Sequence, residues 1–336
     1  MPCVVRIARP KDVDALYEMA KLTGGGFTNL PADRDALAAK LVRSDEAIAE
    51  DEDQPGNHLY VLMMEDLETG RIAGTAQIMS RVGETQPFYS YRLGTVSQQS
   101  VELGRTFRAD MLTLVTDLEG SSEVGGLFLH PRYRAGGLGL LLARSRYLFI
   151  RRHRARFADR LLAELRGVID EGGNAPFWDG LAGRFFGMTF READAFNAVN
   201  GNQFIADLMP KHPIYQAMLS EAARSVLGVP HPNGRAAMRM LEEEGFACEG
   251  YVDIFDGGPT MTVPTDRVRT VRDAGEAAIE QIGLERGHRA ILSAGRLADF
   301  RSTLGEVSFT GGFGIDEQAA AALDVRIGDT VLHAAR

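Results

Sequence analysis

The stretch "LFLHPRYRAGGLGLLLARSRYLFI", residues 127–150, constrains the fold more than any other part of the chain. An apolar run ends at a Pro, an arginine- and glycine-rich loop follows, and apolar residues then recur at helical spacing. The pattern predicts a strand that passes through a glycine turn into a helix. At such a junction the first-turn N–H groups of the helix point the same way without partners, and the helix dipole adds roughly half a positive charge. That end attracts phosphate. Arg134, Gly137 and Gly139 stand in the order R-x-x-G-x-G, and glycines let the backbone approach an anion closely. A dinucleotide-binding fold competes for this reading, but it wants its glycines in the first strand-to-helix turn and an acidic residue about 20 positions later. Neither condition is met.

The remaining pattern surrounds this junction with alternating elements. "CVVRIARP" reads as a strand and "KDVDALYEMAKLT" as a helix with Val13, Leu16, Met19 and Ala20 on one face. "GGGFTNLP" is a break, Asp33 to Glu50 a second helix, and "HLYVLMMED" with "RIAGTAQIM" a hairpin turned at "LETG". "YSYRLGTVSQ", "ADMLTLVTD" and "SEVGGLFLHP" are further strands. "LLAELRGVID" fits either a helix end or a strand, and the region from about Pro176 to Gly245 is rich in helices. "YVDIFDGGP" returns to strand character, a linker of charged and small residues follows "TDRVRTVRDAG", and the final segment, with "EVSFTGGFGI" and "RIGDTVLHA" as β-type runs between Gly turns, reads as a small β subdomain.

Composition narrows the class. A chain of 336 residues, 45% apolar and 25% charged, with a formal net charge of −9, reads as a soluble globular protein large enough for a sizeable core. The acidic balance argues against nucleic acid. Cys3 and Cys248 make no disulfide framework, the opening "MPCVVRIARPKD" carries charges where an export segment would be apolar, and Arg144 and Arg146 interrupt the most apolar helix. The expected place is therefore the cytoplasm, away from membranes.

The R-x-x-G-x-G loop between strand and helix is the pattern with which the GNAT superfamily of N-acyltransferases holds the pyrophosphate of an acyl-CoA. The opening strand, two helices and hairpin, and the succession "LEEEGFACEGYVDIF", are similar to such domains. Longer strings sharpen the resemblance: "TGGGFTNLPA", "SSEVGGLFLHPRYR", "LRGVIDE", "PFWDGLAGRFFGMTF", "FIADLMPKHPIY", "VPHPNGRAAMRMLEEEGF" and "YVDIFDGGPT" together resemble the arginine N-succinyltransferase family from about residue 3 to residue 265. The expected fold is α+β: a GNAT-like acyltransferase domain over residues 1–265 with a helical insertion at about 176–245, then a linker and small C-terminal β subdomain over 266–336.

The resemblance implies transfer of a succinyl group from succinyl-CoA to the α-amino group of L-arginine, releasing CoA, as the first step of arginine breakdown by the succinyl route. It implies no cofactor beyond the co-substrate. The seven His are scattered without ligand spacing, so no metal is expected either. Paralogues described as alpha and beta subunits acting on arginine and ornithine leave ornithine, or another amine or acyl group, as the alternative. A homo-oligomer, or a hetero-oligomer with a paralogue, is expected. A non-catalytic subunit that binds acyl-CoA is the remaining class, and retention of Gly137, Gly139 and His231 speaks against it.

Thioester aminolysis needs donors for the oxyanion, a base for the ammonium and an acid for the thiolate. The resemblance places acyl-CoA contact at Leu127, through backbone N–H groups, and proton donation to sulfur at His231 of "GVPHPNGRAAM". An ordinary imidazole pKa of about 6.5 suits that task, and His212 of "MPKHPIY" is the rival. A guanidinium calls for carboxylates, for which Glu123, Asp170, Glu171, Asp253 and Asp256 are candidates; a succinyl carboxylate calls for cations, for which Arg166, Arg184 and Lys211 are candidates. "RRHRAR" at 151–156 can reach a CoA phosphate but better suits a helix C-terminus, where the dipole favours cations.

Overall fold

A computed structural model describes residues 2–23, 29–284 and 286–335, the side chains of 198–200 aside. Gly24 to Thr28 of the expected glycine break lie outside the described residues. The chain forms two compact units, one of Met1–Arg81, Ser122–Leu161 and Pro264–Arg336, the other of Val82–Ser121 and Leu162–Val263. Elements are numbered below in chain order.

The first unit holds β1 (Cys3–Ile7), α1 (Val13–Leu22), α2 (Arg34–Ala49), β2 (Leu59–Asp66), β3 (Ile72–Met79), β6 (Ser122–Leu129) and α3 (Leu138–Arg152), followed by a C-terminal group. That group is α10 (Arg269–Asp273), β11 (Gly275–Ala278), β12 (Gln281–Ile282), β13 (His288–Ala294), β14 (Arg301–Ser308), β15 (Gly314–Ile315), α11 (Glu317–Leu323) and β16 (Thr330–Ala335). Its strands run in the order β11–β16–β13–β14–β1–β2–β3–β6, and β1 pairs antiparallel with both β2 and β14. Leu16, Met19, Leu37 and Leu41 of α1 and α2 pack on Val61, Met63 and Phe128. Each such side chain, fully buried, contributes about 1.5–3 kcal/mol.

Asp33 caps α2 by accepting the Ala36 N–H at 2.8 Å, which explains why the helix starts where the sequence predicts. Inside α3, Phe149 packs against Tyr60 at 5.0 Å and Phe300 at 5.1 Å between ring centroids. Within residues 266–336, expected as a linker and a small β-rich subdomain, the chain also forms two helices, the short α10 inside "TDRVRTVRDAG" and α11, capped by Asp316.

The second unit holds β4 (Ser90–Ser100), β5 (Arg105–Val115), β7 (Arg160–Glu164, begun in the first unit), α4 (Pro176–Gly180), α5 (Gly183–Phe186), α6 (Phe190–Asn200), α7 (Gln203–Leu208), β8 (Ile214–Tyr215), α8 (Glu221–Ser225), α9 (Arg235–Glu244), β9 (Ala247–Val252) and β10 (Pro259–Pro264). The strand order is β7–β10–β9–β4–β5–β8. "LLAELRGVID" therefore opens as a strand. In the core Trp178 is stacked between Phe186, at 5.7 Å, and Phe255, at 5.6 Å, while its indole N–H donates to the Met188 carbonyl. "YVDIFDGGP" is not one strand: β9 ends at Val252, β10 begins at Pro259, and residues 253–258 are a turn. Among the described residues no helix is long and apolar enough to cross a membrane.

Candidate active site

The loop singled out in the sequence lies in the first unit, and its approach strand is bent. Opposite β3, Thr75 pairs with Phe128 and Gln77 with Gly125, so two steps on β3 face three on β6. The extra residue is a β-bulge in which Gly126 adopts φ +56°, and a Cβ there would come within 2.9 Å of the Gln77 side chain. A bulge breaks the ladder and re-aims the following backbone, which here is Leu127; its side chain is half-buried.

Beyond β6, His130 accepts the Arg132 N–H at Nδ1, 3.2 Å, and caps a single turn over Pro131–Tyr133. Arg134 is exposed, and its Nε donates to the Leu129 carbonyl at 3.0 Å, folding the loop back on its own strand. Gly136 and Gly137 then take φ +66° and +90°, a conformation costly for any residue with a Cβ. Gly137 caps α3 and, as glycine, offers the first-turn N–H groups no side-chain acceptor. Gly139 differs: its backbone is not left-handed, and a Cβ there would make only an ordinary 3.8 Å contact with Leu129. The fold does not itself demand a glycine at 139. Leu127, Arg134, Gly137 and Gly139 thus belong to one strand-bulge-turn-helix segment.

The other candidates of this unit have internal duties. Glu123 is buried on β6 beside Gly125, hydrogen-bonded to Asn29 and facing Lys40, whose ammonium donates to the Asn29 carbonyl. Burial raises the Glu123 pKa, and burial pushes Lys40 down to about 8. In the "RRHRAR" run, Arg152 pairs with Glu276, Arg154 with Asp266 and Asp159, and Arg156, buried, with Asp53.

His231 lies in the second unit. It repeats the local geometry of His130: Nδ1 accepts the Asn233 N–H at 3.2 Å and caps a turn over Pro232–Gly234 that leads into α9. With Nδ1 accepting, the proton of the neutral ring sits on Nε2. The His231 backbone N–H donates to the Arg166 carbonyl at 2.8 Å. Burial, and then the Arg166 charge, lower the His231 pKa below its usual 6.5, which corrects the expectation of an unperturbed imidazole.

Arg166 itself is half-buried. Gly167, next to it, forms an antiparallel bridge with Pro230 and donates to Asp256 Oδ2 at 2.7 Å. A Cβ on Gly167 would fall 2.4 Å from the Asp256 carbonyl oxygen. Asp256 also accepts the Gly258 N–H at 2.8 Å, while Asp253 Oδ1 accepts those of Phe255 and Asp256 at 2.7 and 2.9 Å. Burial raises both carboxyls, and the neighbouring Asp253 charge adds to it at Asp256, which is raised to about 8. Asp170 is exposed and binds the Asn174 N–H, and Glu171, Arg184, Lys211 and His212 are exposed.

Sequence reasoning missed Gly126, Gly136 and the tie between Arg166 and His231. The doubled glycines of "EVGGLF" and "RAGGLG" were signals for the first two; the tie had none. Among the described residues no group of three or more His, Cys, Asp or Glu side chains can hold a metal ion.

Comparison with known proteins gives one answer. Residues 3–270 match the family described as "Arginine N-succinyltransferase beta subunit", and residues 266–335 its C-terminal domain. Arginine N-succinyltransferases of Salmonella schwarzengrund and Shigella dysenteriae serotype 1 are each 45% identical over 269 residues, 80% of this chain and 78% of theirs. The structure of arginine/ornithine succinyltransferase subunit AI from Pseudomonas aeruginosa, 29% identical, superposes with a TM-score of 0.90 over 99% of this chain and 98% of that one. The α+β acyltransferase fold expected from the sequence stands, and the chain belongs to the arginine N-succinyltransferase family.

Proposed function

We propose that this acyltransferase moves the succinyl group of succinyl-CoA to the α-amino group of L-arginine, giving N2-succinyl-L-arginine and CoA. The observation that carries the reading is the bulge at Gly126–Leu127 immediately ahead of the glycine-capped helix α3. It sets a re-aimed strand backbone and a helix N-terminus on one segment, the first suited to the thioester carbonyl and the second to the pyrophosphate. On this reading Leu127 contacts the acyl-CoA, Arg134, Gly137 and Gly139 line its phosphates, and His231 is the proton donor to sulfur. The ammonium first releases one proton to solvent; the free amine attacks the thioester carbon, the C–N bond forms, the C–S bond breaks, the thiolate takes a proton from His231 Nε2, and the second proton shed by the attacking nitrogen restores His231.

Ornithine is a second amine reading, favoured by the name of the Pseudomonas aeruginosa relative. The division into residues 1–265 and 266–336, an oligomer with itself or a paralogue, and a cytoplasmic setting belong to the same proposal.

Thiol release measured for succinyl-CoA and acetyl-CoA, each with arginine, ornithine and citrulline, tests it. Succinyl-CoA with arginine is expected to give the highest kcat/KM. Ornithine is expected to be accepted less well, because it keeps a charge without the planar fork, and citrulline to be rejected by tenfold or more. A preference for acetyl-CoA removes the succinyl assignment, and equal use of arginine and citrulline removes the requirement for a guanidinium.

A further inference from the structure

Arg166 carries a donor that the protein leaves unmet. Its Nε lies buried without a hydrogen-bond partner among the described residues. Asp256 and Asp194 act on its guanidinium only through space, and both oxygens of Asp256 are taken by Gly167 and Gly258. A buried unpaired donor on a charged group is costly, and native proteins rarely keep one without a use. The backbone around it is also fixed. The Arg166 carbonyl holds the His231 N–H, and Gly167 is pinned by the Pro230 bridge and by Asp256. The residue that holds the His231 backbone therefore carries an unmet donor on a guanidinium whose charge is felt at the imidazole assigned to proton transfer, and its planar fork suits a carboxylate better than any other common partner.

We infer that Arg166 is the carboxylate-binding residue of the transfer site; the inference rests on the acyl-transfer reading above. Two substrate groups offer that chemistry, the free end of the succinyl chain and the α-carboxylate of the amino acid. Burial lowers the His231 pKa first and the Arg166 charge second, and a carboxylate seated at Arg166 offsets the second of these, favouring proton uptake by the imidazole.

Two substrate ratios separate the sources. Butyryl-CoA has an acyl chain of the same length ending in a methyl group, and agmatine is arginine without its carboxylate. In the wild type, kcat/KM for the full pair is expected to exceed that for the relevant analogue by about 10- to 100-fold, the usual scale of a hydrogen bond to a charged group. In Arg166→Met that preference collapses toward unity, and Arg166→Lys restores part of it. Collapse of the succinyl-to-butyryl ratio assigns the succinyl end; collapse of the arginine-to-agmatine ratio assigns the α-carboxylate. If both ratios survive in a folded Arg166→Met protein, the inference is wrong.

A second readout does not depend on turnover. His231 followed by NMR is expected to titrate higher when succinate is added to the wild type, and to titrate higher in Arg166→Met with no further response to succinate. An unresponsive His231 in the wild type overturns the inference even if acyl transfer is confirmed. Wild-type protein that fails to turn over succinyl-CoA with arginine yet shows the succinate response sinks the functional reading and leaves the carboxylate site standing.

Discussion

The turns at His130-Pro131 and His231-Pro232 are built alike and surrounded differently. In each the histidine has extended backbone, near φ −56°, ψ 135° and φ −50°, ψ 142°, and its Nδ1 accepts an N–H two residues on. The His130 ring meets Tyr133 edge-on at 6.2 Å, and its turn runs into a loop with two left-handed glycines. The His231 backbone is fastened to Arg166, and its helix follows Gly234, whose φ of −85° any residue can adopt. One turn delivers a backbone and the other a side chain. A local motif thus fixes a conformation, while the neighbours decide what the conformation is for.

The largest effect should come from breaking that difference at the side chain. Asn can accept the same N–H through its side-chain oxygen, as in an Asx turn, so His231→Asn keeps the cap and removes the titrating group. Turnover should fall by about 10²- to 10⁴-fold with succinyl-CoA affinity nearly unchanged. Single-turnover kinetics and calorimetry on His231→Asn, His130→Asn and His212→Asn decide the matter. A fall confined to His212→Asn would move the acid to that exposed loop.

The next effect belongs to the glycines. Gly139→Val should fold with little change in melting temperature, since its Cβ meets only Leu129 at ordinary contact, yet weaken CoA binding by tenfold or more by blocking backbone approach to the pyrophosphate. Gly137→Val, at φ +90°, should weaken CoA binding and lower stability together. Gly234→Ala, at the corresponding place before α9, should change neither. Full CoA affinity in folded Gly139→Val would remove the phosphate assignment.

How much of this was legible in the sequence depends on range. The hairpin of β2 and β3, the capped helix α2 and the R-x-x-G-x-G loop are written in neighbouring residues, so periodicity and turn chemistry suffice. The bulge at Gly126 is a register event between β6 and β3, and no local pattern distinguishes it from a glycine inside a strand. The Arg166–His231 tie runs through a backbone carbonyl, so the identity of residue 166 does not encode it. "YVDIFDGGP" misleads because Ile254 and Phe255 are apolar, while Asp253 and Asp256 capture the N–H groups that would otherwise continue the ladder.

That aspartate turn gives an intermediate effect with a definite sign in pH. Asp256 titrates near 3.8 when unfolded and is raised to about 8 in the fold, so between those values the native state holds more protons than the unfolded one. Stability should therefore decline as pH rises from about 4 to 8. Asp253→Asn keeps the acceptor for Phe255 and Asp256 and gives its partner a permanent donor, so it should flatten the decline. Asp256→Ala leaves the Gly167 and Gly258 N–H groups without acceptors and should cost about 2–4 kcal/mol. Denaturant melts at several pH values test both; an unaltered slope in Asp253→Asn would show that the neighbouring Asp253 charge is not what raises Asp256.

The smallest effect is expected at the other turn. His130→Asn preserves the bond to the Arg132 N–H through its side-chain oxygen and loses only the edge contact with Tyr133, whose hydroxyl keeps its own partner in Asp66 at 3.1 Å. An edge-to-face aromatic contact contributes about 0.5–1.5 kcal/mol in a buried pair, and at this half-buried site the change should stay near about 0.5 kcal/mol. CoA affinity should hold as well, because the loop beyond is set by Gly136, Gly137 and the Arg134–Leu129 tie rather than by the ring. Calorimetry and a denaturant melt on this variant read both quantities. A tenfold loss of CoA binding in a stable His130→Asn protein would mean that the imidazole itself touches the ligand, and the two turns would then differ less than their surroundings imply.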